Sequence, residues 1–162
     1  TMLQLPAVNT PQFDWCRTRM PRAPRPVSPV FQPELIARSA VWASYRRRRE
    51  VIIGWPALKA IWGNKMLPAF ADWYLARTGY HGQMAGTEES AQPPVNLWNS
   101  PGGDAGAHGR FDAEARSQSV QHWLDRHRAG LGLALLGAIG ALAAHRLTSR
   151  GRIRRLTDKL GW

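Results

Sequence analysis

The chain has few residues of the kinds that cross-link proteins or carry negative charge. Its 162 residues include a single cysteine, Cys16, which excludes an intrachain disulfide and fits a reducing compartment. Acidic residues are also scarce, because 11 Asp and Glu stand against 22 Lys and Arg. The resulting net charge of +11 predicts an anionic partner, for which nucleic acid and anionic lipid are the two physical candidates.

Two kinds of site are missing from the pattern of motifs. Gly103, Gly106 and Gly109 do not follow a predicted strand, so they do not form a dinucleotide-binding loop. His81 and His108 lie apart from other ligand-type residues and lack the spacing of a metal site. We therefore predict no metal and interpret both histidines as structural or solvent-exposed.

Glycine and proline divide the chain. The 15 Gly and 12 Pro are concentrated near residues 21–33 and 79–109, where they predict loops. The sequence therefore predicts five segments, namely an α/β part (residues 1–54), two amphipathic helices (55–79), a Gly/Pro-rich loop (80–118), an apolar helix (119–147) and a basic tail (148–162).

The chain opens on an apolar run that predicts a buried strand. Met2, Leu3 and Leu5 come before Pro6, and a polar loop follows at residues 9–11. Because the chain starts with Thr1 directly inside this strand, we expect it to be the C-terminal part of a longer protein.

A helix and a second strand follow in residues 33–54. Pro33 suits the first helical position and Glu34 complements the positive end of the helix dipole, which predicts a helix over residues 33–45. The β-branched run at residues 50–54 predicts a strand that stops at Gly54. A strand, a connection with a helix, and a second strand together indicate a crossover unit of a parallel sheet.

Residues 5–10, together with this helix and strand, resemble the C-terminal part of the short-chain dehydrogenases/reductases, which are NAD(P)-dependent oxidoreductases. In that family the sixth strand leads into a Pro-Gly-x-Val-x-Thr loop that contacts the nicotinamide end of the cofactor. Val8 and Thr10 match this loop, whereas Leu5 and Pro6 stand at the family's Pro and Gly. Pro6 lacks an N–H and has a fixed φ, so the loop departs there from the glycine conformation. Residues 79–80, 96–98 and 108–112 also resemble the C-terminal tails of one subgroup.

The resemblance implies an α/β fold, as the C-terminal fragment of a Rossmann-like parallel sheet with two strands and a crossover helix, followed by a mainly α-helical extension. It implies NAD or NADP as cofactor and hydride transfer to or from a small-molecule carbonyl or alcohol substrate in the cytoplasm. Val8, Asn9 and Thr10 would then contact the cofactor, and Phe13 and Trp15 would form a lid over the substrate.

The segment that would hold this lid, residues 10–33, is rich in proline and arginine. Repeated proline predicts an extended loop without regular helix or strand. Its arginines are then expected in solvent, and they are Arg17, Arg19, Arg22 and Arg25. An equally good interpretation makes the segment a simple connector.

The catalytic motifs of this family are absent from the sequence. It contains neither the Thr-Gly-x-x-x-Gly-x-Gly fingerprint nor the Tyr-x-x-x-Lys pair with its Ser. Tyr45 is followed at the fourth place by Arg49, and a permanently charged guanidinium is a poor replacement for Lys. We therefore predict no catalytic residue here and expect the chain alone to be inactive, with an active full-length parent.

Residues 55–79 predict two short helices separated at Pro68. Their apolar stripes favour core packing, but Trp55, Trp62 and Trp73 near basic residues also suit a bilayer interface.

Residues 129–144 contain no charged side chain and have basic residues on both sides. At 1.5 Å per residue they span roughly 24 Å, a marginal length for the ~30 Å of a bilayer core. The alternative function is therefore a non-enzymatic, basic, membrane-associated protein with peripheral or monotopic attachment to anionic lipid. If the helix is soluble, it would cover the reductase domain or mediate homo-oligomer formation. A nucleic-acid binder is the weakest interpretation, because no such motif occurs.

Overall fold

The chain folds into short strands and longer helices, which together make a mixed α/β structure. The computed structural model describes residues 1–88, 95–100 and 102–160, and side chains as far as residue 146. The strands within these ranges are β1 (Met2–Gln4), β2 (Ala7–Val8), β3 (Arg22–Pro24), β4 (Val30–Phe31), β5 (Glu50–Ile52) and β6 (Met84–Glu88). The helices are α1 (Pro33–Ser44), α2 (Trp55–Met66), α3 (Pro68–Gly82) and α4 (Val120–Leu160), and a 3₁₀ turn lies at Pro11–Asp14. The chain divides into two units, Thr1–His122 and Trp123–Trp162.

The opening run pairs in parallel with two later strands. β1 pairs with β5 in the register Met2↔Glu50 to Gln4↔Ile52, and β2 pairs with β4. Helix α1 lies between β1 and β5 in sequence, as expected for a crossover connection. The α/β class and the parallel pairing of the opening strand with the strand after the helix are thus confirmed.

Helix α1 contributes one face to a small core. Pro33 is at its N-terminus, Glu34 is in its first turn, and Leu35, Ser39 and Ala43 are buried at a spacing of four. Buried Phe31 of β4, Val51 of β5 and Ile53, which follows β5, join this face. The core therefore depends on the helix and the parallel strands together.

Two segments predicted to be loops contain strands, which corrects the sequence prediction. β3 and β4 lie in residues 10–33, and β6 lies in residues 80–118. β3 pairs antiparallel with β6 through Arg22↔Glu88 and Pro24↔Met84. Proline is tolerated because this ribbon has only two strands, so its missing N–H can face the unpaired side.

The end of β5 is tied to the start of α4. Gly54 has φ of 87°, which favours glycine, and its N–H donates to Oε1 of Gln121 at 2.8 Å. Gln121 Nε2 donates to the Ile52 carbonyl at 3.2 Å. Ser39 Oγ donates to the Leu35 carbonyl at 2.7 Å, so its 2.9 Å contact with His122 requires the histidine Nε2–H to donate. These bonds hold Gln121 and His122, the last residues of the first unit, against α1 and the end of β5.

Helix α4 covers the predicted apolar helix, residues 119–147, and its backbone continues to Leu160. Its part Val120–Arg146 is long and apolar enough to cross a membrane, judged by length and composition alone, and none of its apolar window is buried. The side chains of the predicted basic tail, residues 148–162, lie outside the described residues.

Candidate functional site

An apolar cleft lies where the opening strand ends. Its volume is about 750 Å³, within the range of small-molecule sites. Its apolar wall comes from Leu5, Pro6, Ala7, Val8, Phe13, Pro26, Val27, Pro33, Ile36 and Ala37. Thr10, Gln12, Arg25 and Gln83 add polar groups. The cleft can therefore accept a flat apolar group and bond its polar edge.

The structure brings three of the five predicted site residues into this cleft. Val8, Thr10 and Phe13 line it. The ring of Phe13 also meets that of Phe111 edge-on, with centroids 5.8 Å apart. Trp15 is outside the described lining, and its carbonyl accepts the N–H of Asn96 at 3.0 Å. The cofactor and lid roles of these residues stay predictions.

Asn9, the remaining predicted residue, is fully buried beside the cleft. Its Nδ2 donates to Asp112 Oδ1 at 2.7 Å and to Gln32 Oε1 at 3.3 Å. Its Oδ1 accepts the N–H of Phe111 at 3.1 Å. Its backbone N–H bonds the Phe31 carbonyl, and its carbonyl accepts the N–H of Gly109. Asn9 therefore joins three parts of the chain through its own polar groups.

A polar network, here named the His108 cluster, surrounds this asparagine. It consists of Asn9, Gln32, Glu34, His108 and Asp112. The His108 ring contacts Asp112 Oδ1 through Nδ1 at 2.8 Å and Glu34 Oε1 through Nε2 at 2.6 Å. Since ionised carboxylates only accept, both ring nitrogens must donate, and the imidazole is protonated. His108 is therefore a cation bound between two carboxylates.

The charges of the cluster shift its pKa values in the expected directions. Hydrogen bonds to Asp112 and then Glu34 raise the pKa of His108. The pKa of Asp112 is lowered by His108 first and by Gln32 next. The pKa of Glu34 is lowered by its backbone hydrogen bond first and by His108 next. Each shift favours the charged form that the geometry requires.

Sequence reasoning missed this network. It treated His108 as isolated from ligand-type residues, whereas the fold places it between Glu34 and Asp112. One signal was present, because His108 and Asp112 are four residues apart. Glu34 is 74 residues away from His108 in sequence, so no local pattern indicates this contact.

The arginines near the cleft are also paired rather than free in solvent, which corrects the prediction for Arg25. Arg25 Nη2 binds both carboxylate oxygens of Glu114, at 2.9 and 2.7 Å. Arg110 binds Asp14 at 3.1 Å and the Pro24 carbonyl at 2.8 Å. These contacts hold residues 110–114 against the segment predicted as the lid.

The described cleft residues include no His, Cys, Asp, Glu, Lys or Tyr, so they offer no general acid or base near neutral pH. Within the described part of the chain, no group of three His, Cys, Asp or Glu residues could hold a metal ion. Comparison of the chain with protein-family models, with curated proteins and with solved structures finds no match.

Proposed function

We propose that the chain is the C-terminal portion of an NAD(P)-dependent short-chain oxidoreductase. In this proposal it contributes the end of a Rossmann-like sheet, the loop at the nicotinamide end of the cofactor and part of the substrate cover. The Ser, Tyr and Lys that move protons would come from a preceding segment of the same protein. The bound cofactor would donate or accept the hydride, and the substrate would be a small carbonyl compound or alcohol.

The observation that supports this proposal most is the place of the cleft. Its lining begins at Leu5, directly after the carboxyl end of β1, which pairs in parallel with β5, and open α/β sheets bind ligands at the carboxyl ends of their strands. The two residues that match the family's loop, Val8 and Thr10, both line it. The motif and the cleft therefore indicate the same two residues, and neither observation uses the amino-acid composition of the chain.

The lining suits the nicotinamide end of such a cofactor. Val8 and Ile36 offer apolar contact to a flat ring, and the Thr10 hydroxyl can donate to a carboxamide oxygen. Pro6 cannot donate a backbone hydrogen bond where the family has glycine. We therefore assign the polar contact to Thr10. The polar groups of Asn9 bond other parts of the chain and so orient the loop.

The experiment that tests this assignment is steady-state kinetics of the full-length protein with NADH and NADPH. Thr10→Val removes one hydroxyl, and losing one hydrogen bond should raise KM for the cofactor about two- to tenfold. Thr78→Val is the matched control, because the Thr78 hydroxyl bonds only the Tyr74 carbonyl of its own helix among the described residues. Equal cofactor KM values for Thr10→Val and the parent would contradict the role of Thr10.

A second candidate function is a non-enzymatic, basic, membrane-associated protein. The apolar part of α4 favours it, since this helix could span a membrane by length and composition and is not buried. Core helices of soluble proteins and oligomer interfaces have similar compositions. The net charge of +11 adds attraction to anionic lipid. This candidate predicts lipid binding without nicotinamide binding.

A further inference from the structure

Helices α2 and α3 form an exposed hairpin of aromatic and basic residues. The two helices pack against each other. Both lie wholly within the described residues, and neither contains a buried residue. Large apolar side chains are nevertheless numerous on this hairpin, and half or more of the surface of most of them is exposed. They are Trp55, Trp62, Met66, Phe70, Trp73 and Tyr74.

On α3 these residues share one face with a cation. Phe70, Trp73, Tyr74 and Arg77 follow the three- and four-residue spacing of a helix face. The Phe70 ring stacks with Trp73 at 5.6 Å and with Tyr74 at 6.3 Å between centroids. The Arg77 guanidinium lies over the Trp73 ring at 4.3 Å. The face therefore combines an aromatic surface with a positive charge at its edge.

Helix α2 repeats the arrangement. Trp55, Lys59, Trp62 and Met66 lie along one face at helical spacing. The Lys65 ammonium lies 5.7 Å from the centroid of the Trp62 ring, while 55% of Trp62 remains exposed. Burying this face in an apolar core would remove water from the Lys65 ammonium, which costs free energy. The face is therefore better suited to a surface where the cation stays hydrated.

The charge and composition of the hairpin fit an anionic membrane surface. Tryptophan, tyrosine and basic side chains are the residues that gather at the headgroup level of a bilayer. The hairpin has Lys59, Lys65 and Arg77 against a single acidic residue, Asp72, so its charge complements anionic headgroups. Among the described residues, the same chain also has a helix suited to a bilayer by length and composition alone.

We propose that the α2–α3 hairpin docks on anionic lipid, with its aromatic rings at the headgroup level and its cations on the lipid phosphates. The hairpin is a second lipid contact, formed by residues other than those of the apolar helix. The proposal does not rest on the reductase assignment. Hairpin docking would hold the first unit at the membrane surface.

The test uses nitroxide labels on the full chain, in a Cys16→Ser background. Met66→Cys labels α2 and Tyr74→Cys labels α3, so either helix can report if the other variant is perturbed. Trp98→Cys is the matched control, an aromatic position with 78% exposure outside the hairpin. Circular dichroism establishes that each variant keeps the parent's helix content. Accessibility to oxygen and to a water-soluble nickel chelate is then measured with vesicles of phosphatidylcholine alone or mixed with phosphatidylglycerol.

We expect the labels at positions 66 and 74 to gain oxygen accessibility and lose nickel accessibility on the mixed vesicles. The label at position 98 should stay in water, and neutral vesicles should give a smaller change at positions 66 and 74. The proposal would be overturned if the chain floated with the mixed vesicles while the labels at both hairpin positions stayed exposed to water. The proposal would also be overturned if the labels lost nickel accessibility in the absence of vesicles and this loss increased with protein concentration. A second copy of the chain would then cover the hairpin.

Discussion

His108 lies between the carboxylates of Glu34 and Asp112. Its protonation is therefore linked to the packing of residues 108–112. Its pKa is raised by Asp112 and Glu34, so its stabilising contribution is complete below the ordinary value of 6.5 and is lost as the pH rises through the raised pKa. The pKa values of Asp112 and Glu34 are lowered from ordinary values of 3.8 and 4.5, so their contribution is present above these values and lost at lower pH. The cluster should therefore stabilise the protein most between about pH 4.5 and 6.5.

This pH window can be measured by comparing the Tm of the parent with that of His108→Ala. The difference in Tm should be largest inside the window and should shrink on both sides, because either the imidazolium or a carboxylate is lost. His81→Ala controls for the removal of an exposed histidine. NMR titration of the His108 ring should give a midpoint above 6.5. A midpoint at or below this value, or a Tm difference that is constant with pH, would contradict the cluster.

Gly109 lies so close to the opening loop that its position has no room for a side chain. A Cβ at this position would lie 2.4 Å from the Thr10 carbonyl oxygen and 2.9 Å from Asn9 Oδ1. The neighbours are backbone and a buried amide, so they cannot move aside easily. We expect Gly109→Ala to lower the free energy of unfolding by about 1–3 kcal/mol, measured by urea denaturation.

The control for this substitution is Gly102→Ala. An added Cβ at Gly102 would meet no atom within 4 Å among the described residues. Equal urea midpoints for Gly109→Ala and Gly102→Ala would show that residues 108–112 do not pack on the opening loop.

Among the elements, α4 allows a direct test of the membrane candidate. Leu136 lies near the middle of the apolar stretch and is exposed. An arginine there should oppose insertion by about 2.5–3.5 kcal/mol, or roughly a hundredfold in partition. In flotation with phosphatidylcholine vesicles we therefore expect Leu136→Arg to shift most of the chain into the soluble fraction.

Leu97→Arg is the matched control, since Leu97 is an exposed leucine of the first unit. It should float as the parent does. Flotation of Leu136→Arg at the level of the parent would exclude the centre of α4 as the inserted segment.

Helices were predictable from the sequence because their signals are local. Pro33 and Glu34 mark the start of α1, and Pro68 is the first residue of α3. The β-branched run also indicated β5. β3 and β6 were not predictable, since proline in β3 suggests a loop and the pairing that makes it a strand comes from residues 84–88, far along the chain. Short strands are formed by such distant partners rather than by their own composition.

The site was predictable in part for the same reason. Val8, Thr10 and Phe13 are close in sequence, so a motif could indicate that they share one wall. Asn9 belongs to the same run, but its partner Asp112 is 103 residues away. Its burial in a network was therefore beyond what spacing alone can indicate.

Across the described part of the molecule, the cleft and the His108 cluster are made of different residues. The described cleft residues offer contacts for a ring and a polar edge, but no acid or base. Glu34, His108 and Asp112, whose pKa values are shifted, belong to the His108 cluster, which holds residues 108–112 on the opening loop. Under the reductase proposal, the proton-transfer residues would therefore have to come from a preceding segment.

The most direct test of that requirement is the sequence of the coding DNA upstream of Thr1. If the chain is part of a reductase, we expect an in-frame extension of roughly 150–200 residues with the Thr-Gly-x-x-x-Gly-x-Gly fingerprint after its first strand and a Tyr-x-x-x-Lys pair further on. A stop codon followed by a genuine start immediately before Thr1 would contradict the reductase proposal. The membrane-associated function would then be the better explanation of the chain.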